Sequence, residues 1–325
     1  MKLFKKALVG VAVAAAFAAS APVYASTVAV ADMNIFSLGL FSSPGVPFGP
    51  ANGTLSILNE SRNGTADANY NGVAATGVGL GSISAAGVGA QVDVKYRCVG
   101  DCGAGTAALY AGGGGFENNT TTHLGVPGTR NFALGDMFIS GQALGGTISG
   151  LTRANAVTTG GTNAGGANAT ITNAAFIEGI FGVSNSFTGV VGVAADWFLR
   201  AYVDSLSPTT GTASGSFGWN LQITSEDDSE FTSLSFAPRD LNQGFTSFSS
   251  SQNRLAQDNN SVSGIGQAYF SDSRTFLTGK NYIFTINQSS NANVSERNRV
   301  PEPDSLALIG LGLLGLVASR RRKSV

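Results

Sequence analysis

Two cysteines, a run of carboxylates and a lone histidine are the side chains whose type and spacing could do chemistry. Cys98 and Cys102 enclose Val99-Gly100-Asp101. A C-x3-C pair in an exported chain with no other cysteine reads as a disulfide, which in the chain-entropy model adds about 2 kcal/mol for so short a loop. Metal sites want more ligands, and redox pairs are usually C-x2-C. Glu226-Asp227-Asp228-Ser229-Glu230 places four carboxylates in five residues. Such a loop could offer oxygens to Ca²⁺, but it lacks a D-x-D-x-D-G frame and reads more readily as a solvated acidic turn. A two-carboxylate glycoside hydrolase would need a carboxyl separation that sequence does not display. His123, the sole histidine, has no Gly-x-Ser-x-Gly elbow to join and reads as a solvated loop residue. Trp197, Trp219, Tyr202 and Tyr269 could form a glycan-binding platform, yet each falls within an alternating segment, where packing in the core is the simpler role. No constellation demands an enzyme, and no resident cofactor is expected beyond the weak Ca²⁺ reading.

The elements that must position these residues are strands. Only 12% of the 325 residues are charged, Gly supplies 44 and Phe 20, a mix that suits short strands and small-residue turns rather than long amphipathic helices. Alternation begins at Ser26 (Val28, Val30, then Met33, Ile35, Leu38). It returns at 55–58, 92–96, 132–139, 171–181, 190–203, 216–223, 231–236, 266–270 and 282–286. Asn63-Gly64, Asn71-Gly72, Ser207-Pro208 and Thr278-Gly279 are turn signals. The expected fold is all-β, an antiparallel, jelly-roll-like β-sandwich over residues 26–286. It carries long Gly/Asn/Thr-rich loops at 103–115 and 154–170, and a polar spacer follows at 287–299.

The two ends are of a different kind. Residues 1–25 carry Lys2, Lys5 and Lys6, an apolar stretch from Ala7 to Ala19, and the small-x-small ending Val23-Tyr24-Ala25, the pattern of a Sec signal peptide cut by signal peptidase. At the other end Pro301-Glu302-Pro303 precedes an apolar segment, Leu306 to Ala318, then Arg320-Arg321-Arg322-Lys323. As a helix those thirteen residues cover about 20 Å, short of a bilayer core of about 30 Å, which favours transient insertion in the inner membrane with the basic end cytoplasmic. Gly310, Gly312 and Gly315 match G-x-G-x-x-G, but inside an apolar helix rather than after a strand, so no dinucleotide site is read there.

This order of motif, helix and basic cluster over residues 300–325 resembles the PEP-CTERM sorting domain of Gram-negative bacteria that make exopolysaccharide. The resemblance covers under a tenth of the chain. It implies recognition by an exosortase at Pro301, Glu302 and Pro303, removal of the helix, and delivery to the cell surface or extracellular matrix. Setting aside the seven basic residues of the two ends leaves twelve against twenty acidic ones, about −8. That balance repels phosphate and argues against nucleic acid as a partner. The expected role is structural or adhesive, in a biofilm or exopolysaccharide matrix; a glycan- or Ca²⁺-binding module is the second reading and a glycan-active hydrolase the third.

Overall fold

The computed structural model describes residues 26–49, 53–75, 82–102, 111–112, 116–117, 131–159, 164–172, 178–179, 184–203, 210–225, 227–248, 253–257 and 267–297. The first strands in chain order are β1 (Ser26–Ser43), β2 (Val46–Pro47), β3 (Ser61–Tyr70), β4 (Val73–Ala74), β5 (Ser82–Ala86), β6 (Val92–Gly100), β7 (Ala111–Gly112) and β8 (Phe116–Glu117). Next come β9 (Phe132–Ser140), β10 (Ser149–Thr159), β11 (Ala164–Thr172), β12 (Glu178–Gly179), β13 (Phe187–Val203) and β14 (Thr210–Ser225). The last are β15 (Leu234–Phe236), β16 (Gln243–Phe248), β17 (Asn253–Gln257), β18 (Gln267–Phe270), β19 (Arg274–Phe276) and β20 (Tyr282–Arg297), with one 3₁₀ turn at Arg239–Leu241.

All pairings are antiparallel. The first large sheet runs β17-β13-β1-β10-β9-β6, the second β15-β14-β20-β11-β3-β4, and short strands extend each to nine. The sheets pack on a shared core in which Met33, Trp197 and Met137 of the first meet Trp219, Phe284 and Ile286 of the second. The expected antiparallel all-β class holds. The C-terminal helix falls outside the described residues, and among those described no helix is long and apolar enough to cross a membrane.

Small residues shape one end of this core. Ala29, Ala68, Ala154, Ala156, Ala201, Ala213 and Ala292 are all buried there. The sheets come close at that end: a Cβ added to Gly215 of β14 would lie 2.9 Å from the Val30 carbonyl oxygen of β1. Residues 154–159, read from composition as loop, are therefore strand, and so are 164–172. Ala154 and Ala156 are small because they pack closely between the sheets.

The spacer reading of 287–299 is also overturned as far as Arg297, because β20 continues through Asn287–Arg297 and pairs with both β14 and β11; residues 298–299 lie outside the described residues. Its inward positions are Tyr282, Phe284, Ile286, Gln288, Ser290, Ala292, Val294 and Glu296, every one buried. Three of the last five are polar, which hid the period of two. They bond across the core instead. Gln288 Nε2 donates to Met33 O at 3.1 Å, Gly150 O at 3.2 Å and Thr152 Oγ1 at 3.1 Å. Thr27 Oγ1 donates to Glu296 Oε1 at 2.8 Å.

Two turn readings diverge. Asn71 (φ 52°) and Gly72 (φ 79°) form the two-residue hairpin turn between β3 and β4. Asn63-Gly64 instead lies within β3, where Gly64 faces Met137 and a Cβ would overlap the thioether. Residues 55–58 are irregular rather than strand, and Ser207-Pro208 lies outside the described residues.

Candidate functional site

Cys98 and Cys102 are joined, with a Cα separation of 6.0 Å. The bridge packs on the outer face of the first sheet beside Val28, Val30, Phe132, Leu134, Val157 and Phe198. Around β1 and β10 that sheet is thus buried on both faces, as the unbroken buried run from Thr27 to Ile35 requires.

The same outer face holds a charged row that sequence reading missed. Asp32 of β1 lies opposite Arg153 of β10, which lies opposite Asp136 of β9. All three are buried, and Arg153 Nη1 donates to Asp136 Oδ2 at 2.7 Å. Asp32 Oδ1 has no hydrogen-bond partner among the described residues. Burial raises the Asp32 pKa well above the ordinary carboxylate value, and the nearby Asp136 charge adds to this against the opposing pull of Arg153. One guanidinium between two sequestered carboxylates is best neutralised with one of them protonated. No local pattern marks such a trio, since its members come from three strands and Asp32 lies more than 100 residues before the Asp136–Arg153 pair.

The acidic turn separates its carboxylates. Asp227 Oδ1 accepts from Asn281 N at 3.0 Å and Ser225 Oγ at 3.3 Å. Asp228, buried, accepts from Glu230 N at 3.1 Å and from the Tyr282 hydroxyl at 3.3 Å. Burial raises the Tyr282 pKa, and the Asp228 charge adds to this against the Leu277 N–H that the phenol accepts at 2.7 Å. These two aspartates fasten the turn to the start of β20. Glu230 is exposed, and Glu226 lies outside the described residues. Among the described residues no group of three or more His, Cys, Asp or Glu gathers as a cation site. Trp197 and Trp219 are core residues at 7% and 1% exposure, and Tyr202 and Tyr269 are half-buried. His123 lies outside the described residues.

A pocket of about 600 Å³ opens beyond the far end of β1, between the β1–β2 hairpin, residues 53–55 and the loop at 142–146. The loop is held from below by a buried ion pair. Arg62 bonds Glu60 and donates to the Gly141 and Ala90 carbonyls, while Glu60 Oε2 accepts from Gly89 N at 2.9 Å. From the side, Gly146 N donates to Leu38 O at 2.9 Å and Ser37 Oγ to Gly146 O at 3.2 Å. A register shift between Ile35 and Ser37 marks a β-bulge in β1 beside it.

Pro301, Glu302, Pro303 and the basic cluster Arg320, Arg321, Arg322 and Lys323 lie outside the described residues. For them the comparison is by sequence: a family model of the PEP-CTERM protein-sorting motif matches residues 299–323. The tail is a PEP-CTERM sorting motif. Such a motif is the signal an exosortase recognises, consistent with that enzyme as a processing partner and with export and membrane-anchored sorting of the chain that carries it. Neither the curated proteins nor the solved structures contain a match to this chain.

Proposed function

We propose that this protein is a non-catalytic structural or adhesive component of the cell surface or extracellular matrix of a Gram-negative bacterium, exported by its leader and released or anchored by an exosortase. The observation that carries the reading is the PEP-CTERM motif at residues 299–323. The folded body suits the role as a sandwich, since the chain passes repeatedly between the two sheets, at β2–β3, β5–β6, β10–β11, β12–β13, β13–β14, β16–β17 and β19–β20. Its exposed second face is nearly uncharged: the outward residues of β14 and β20 are chiefly Ser, Thr, Asn and Gln, with Asn287 Nδ2 donating to Asn220 Oδ1 across the strands at 3.1 Å. A hydrated, neutral surface of this kind suits contact with exopolysaccharide.

Intact mass spectrometry of the protein recovered from its host, from envelope and medium separately, tests the reading. Loss of residues 1–25 together with the segment beyond Pro303 is the expected result. A mature chain that keeps Leu306–Lys323 would overturn exosortase processing.

A further inference from the structure

The pocket at the end of β1 has features of a binding site rather than of a gap between loops. Leu144, in its wall, is a buried leucine held at φ 55°, a left-handed conformation that costs a non-glycine residue on the order of 1 kcal/mol. The bulge at Ile35/Ser37 and the isolated Gly39–Gly145 bridge bring two irregular backbones together at the same place. Gly145 leaves room for the Gln142 side chain, whose amide carbon would sit 3.0 Å from a Cβ there. That amide makes no hydrogen bond among the described residues, although the Gln142 main-chain N–H is bonded to Thr147 Oγ1 at 3.1 Å. It offers unused donors and an acceptor to the pocket.

The rest of the lining defines what could bind. The rings of Phe41 and Phe48 supply apolar surface, each half-buried and held by another ring: Phe41 by Phe270 at 5.5 Å and Phe48 by Phe187 at 4.2 Å. Ser37 and Thr54 add hydroxyls, and glycines leave backbone groups approachable. Among the described residues no charged side chain lines the pocket. An ionic ligand would lose its hydration without a counter-charge. A ligand with apolar C–H faces and a rim of hydroxyls meets both halves of the lining. The volume lies within the range of about 300–1,000 Å³ usual for small-ligand sites.

We propose that this pocket binds a neutral saccharide, one or two sugar units of a chain or its end, with Gln142 as the hydrogen-bonding anchor and Phe41 and Phe48 as the apolar walls. This deepens the matrix reading by naming a ligand class and a place, but its geometry is independent of the sorting tail.

The test is calorimetric titration of the purified protein with neutral gluco-, xylo- and galacto-configured oligosaccharides of two to four units, and with oligogalacturonate as the acidic counterpart. Gln142→Ala, which removes the amide, is expected to weaken the neutral ligand about tenfold, the loss of one hydrogen bond. Gly49→Trp is expected to abolish binding by crowding the pocket: Gly49 lines it, and a Cβ there meets nothing within 4 Å, so the substitution starts without a clash. Circular dichroism melts of both variants check folding. Binding of no neutral oligosaccharide, preference for the acidic one, or neutral binding unchanged in both folded variants would each overturn the proposal. None of these results depends on whether the tail is cleaved, so failure here and failure of the sorting reading are separate.

Discussion

Asp32, Arg153 and Asp136 show what a single buried charge does to stability. With the Asp32 pKa raised, the folded state holds a proton that the unfolded state releases above about pH 4. Its contribution is therefore fully present below the ordinary aspartate pKa and is lost as pH rises toward the folded value. Asp32→Asn is expected to match wild type near pH 4 and to exceed it by at least about 1 kcal/mol near pH 8, as read by urea denaturation at the two pH values. A stability difference that does not change with pH would refute this assignment. Asp136→Ala acts oppositely: it strips the buried Arg153 of its partner and should cost about 3–5 kcal/mol. Neither aspartate stood out in the sequence, because an isolated Asp in a strand reads as an outward residue. It is the second buried face of the first sheet that makes these residues interior.

Among the elements, the strands with large alternating side chains were legible and those built of small or polar residues were not. The period of two was readable in β9, β13 and the first part of β20. In β3 the inward residues are Arg62, Gly64, Ala66, Ala68 and Tyr70, a set that carries no hydrophobic signal and includes a misleading Asn-Gly pair. Polar inward residues still lock the sheets together. Gln288→Leu removes the amide NH₂ whose two hydrogens are shared among Met33 O, Gly150 O and Thr152 Oγ1 across the sheets, and is expected to cost about 2 kcal/mol in chemical denaturation. The turn before the 142–146 loop is equally constrained. Gly141 has φ 76° and its missing Cβ would collide with the Thr147 carbonyl, so Gly141→Ala should cost roughly 2–4 kcal/mol, measurable as a lowered melting temperature. Reducing the Cys98–Cys102 bridge should cost about 2 kcal/mol, because the closed loop is short.

For the whole molecule, the boundary of the folded body decides how the tail is used. β20 is interior to the second sheet, paired along its length with β14 on one side and with β11 or β12 on the other. A chain ending at Ile286 is expected to lose cooperative unfolding, whereas one ending at Arg299 keeps every described pairing and should melt like the full body; circular dichroism melts distinguish the two. The described fold therefore runs to Arg297, two residues before the segment matched by the sorting motif. With so little chain between them, an exosortase acting at Pro301–Pro303 would work close to the sandwich.

What the sequence determined by itself were the features encoded locally: the class of fold, from alternation and turn residues; the disulfide, from two cysteines four positions apart; and the sorting motif, from an ordered string of residues near the C-terminus. The tertiary structure alone decided the rest. It turned Gly/Ala-rich segments from loop into close-packed strand, because small side chains are what allow two sheets to approach. It turned a polar spacer into a central strand, because Gln288, Ser290 and Glu296 find partners across the core. It gathered Asp32, Arg153 and Asp136, and likewise the walls of the pocket, from distant parts of the chain. Long-range antiparallel pairing is specified by register between strands, and no single stretch of sequence contains it.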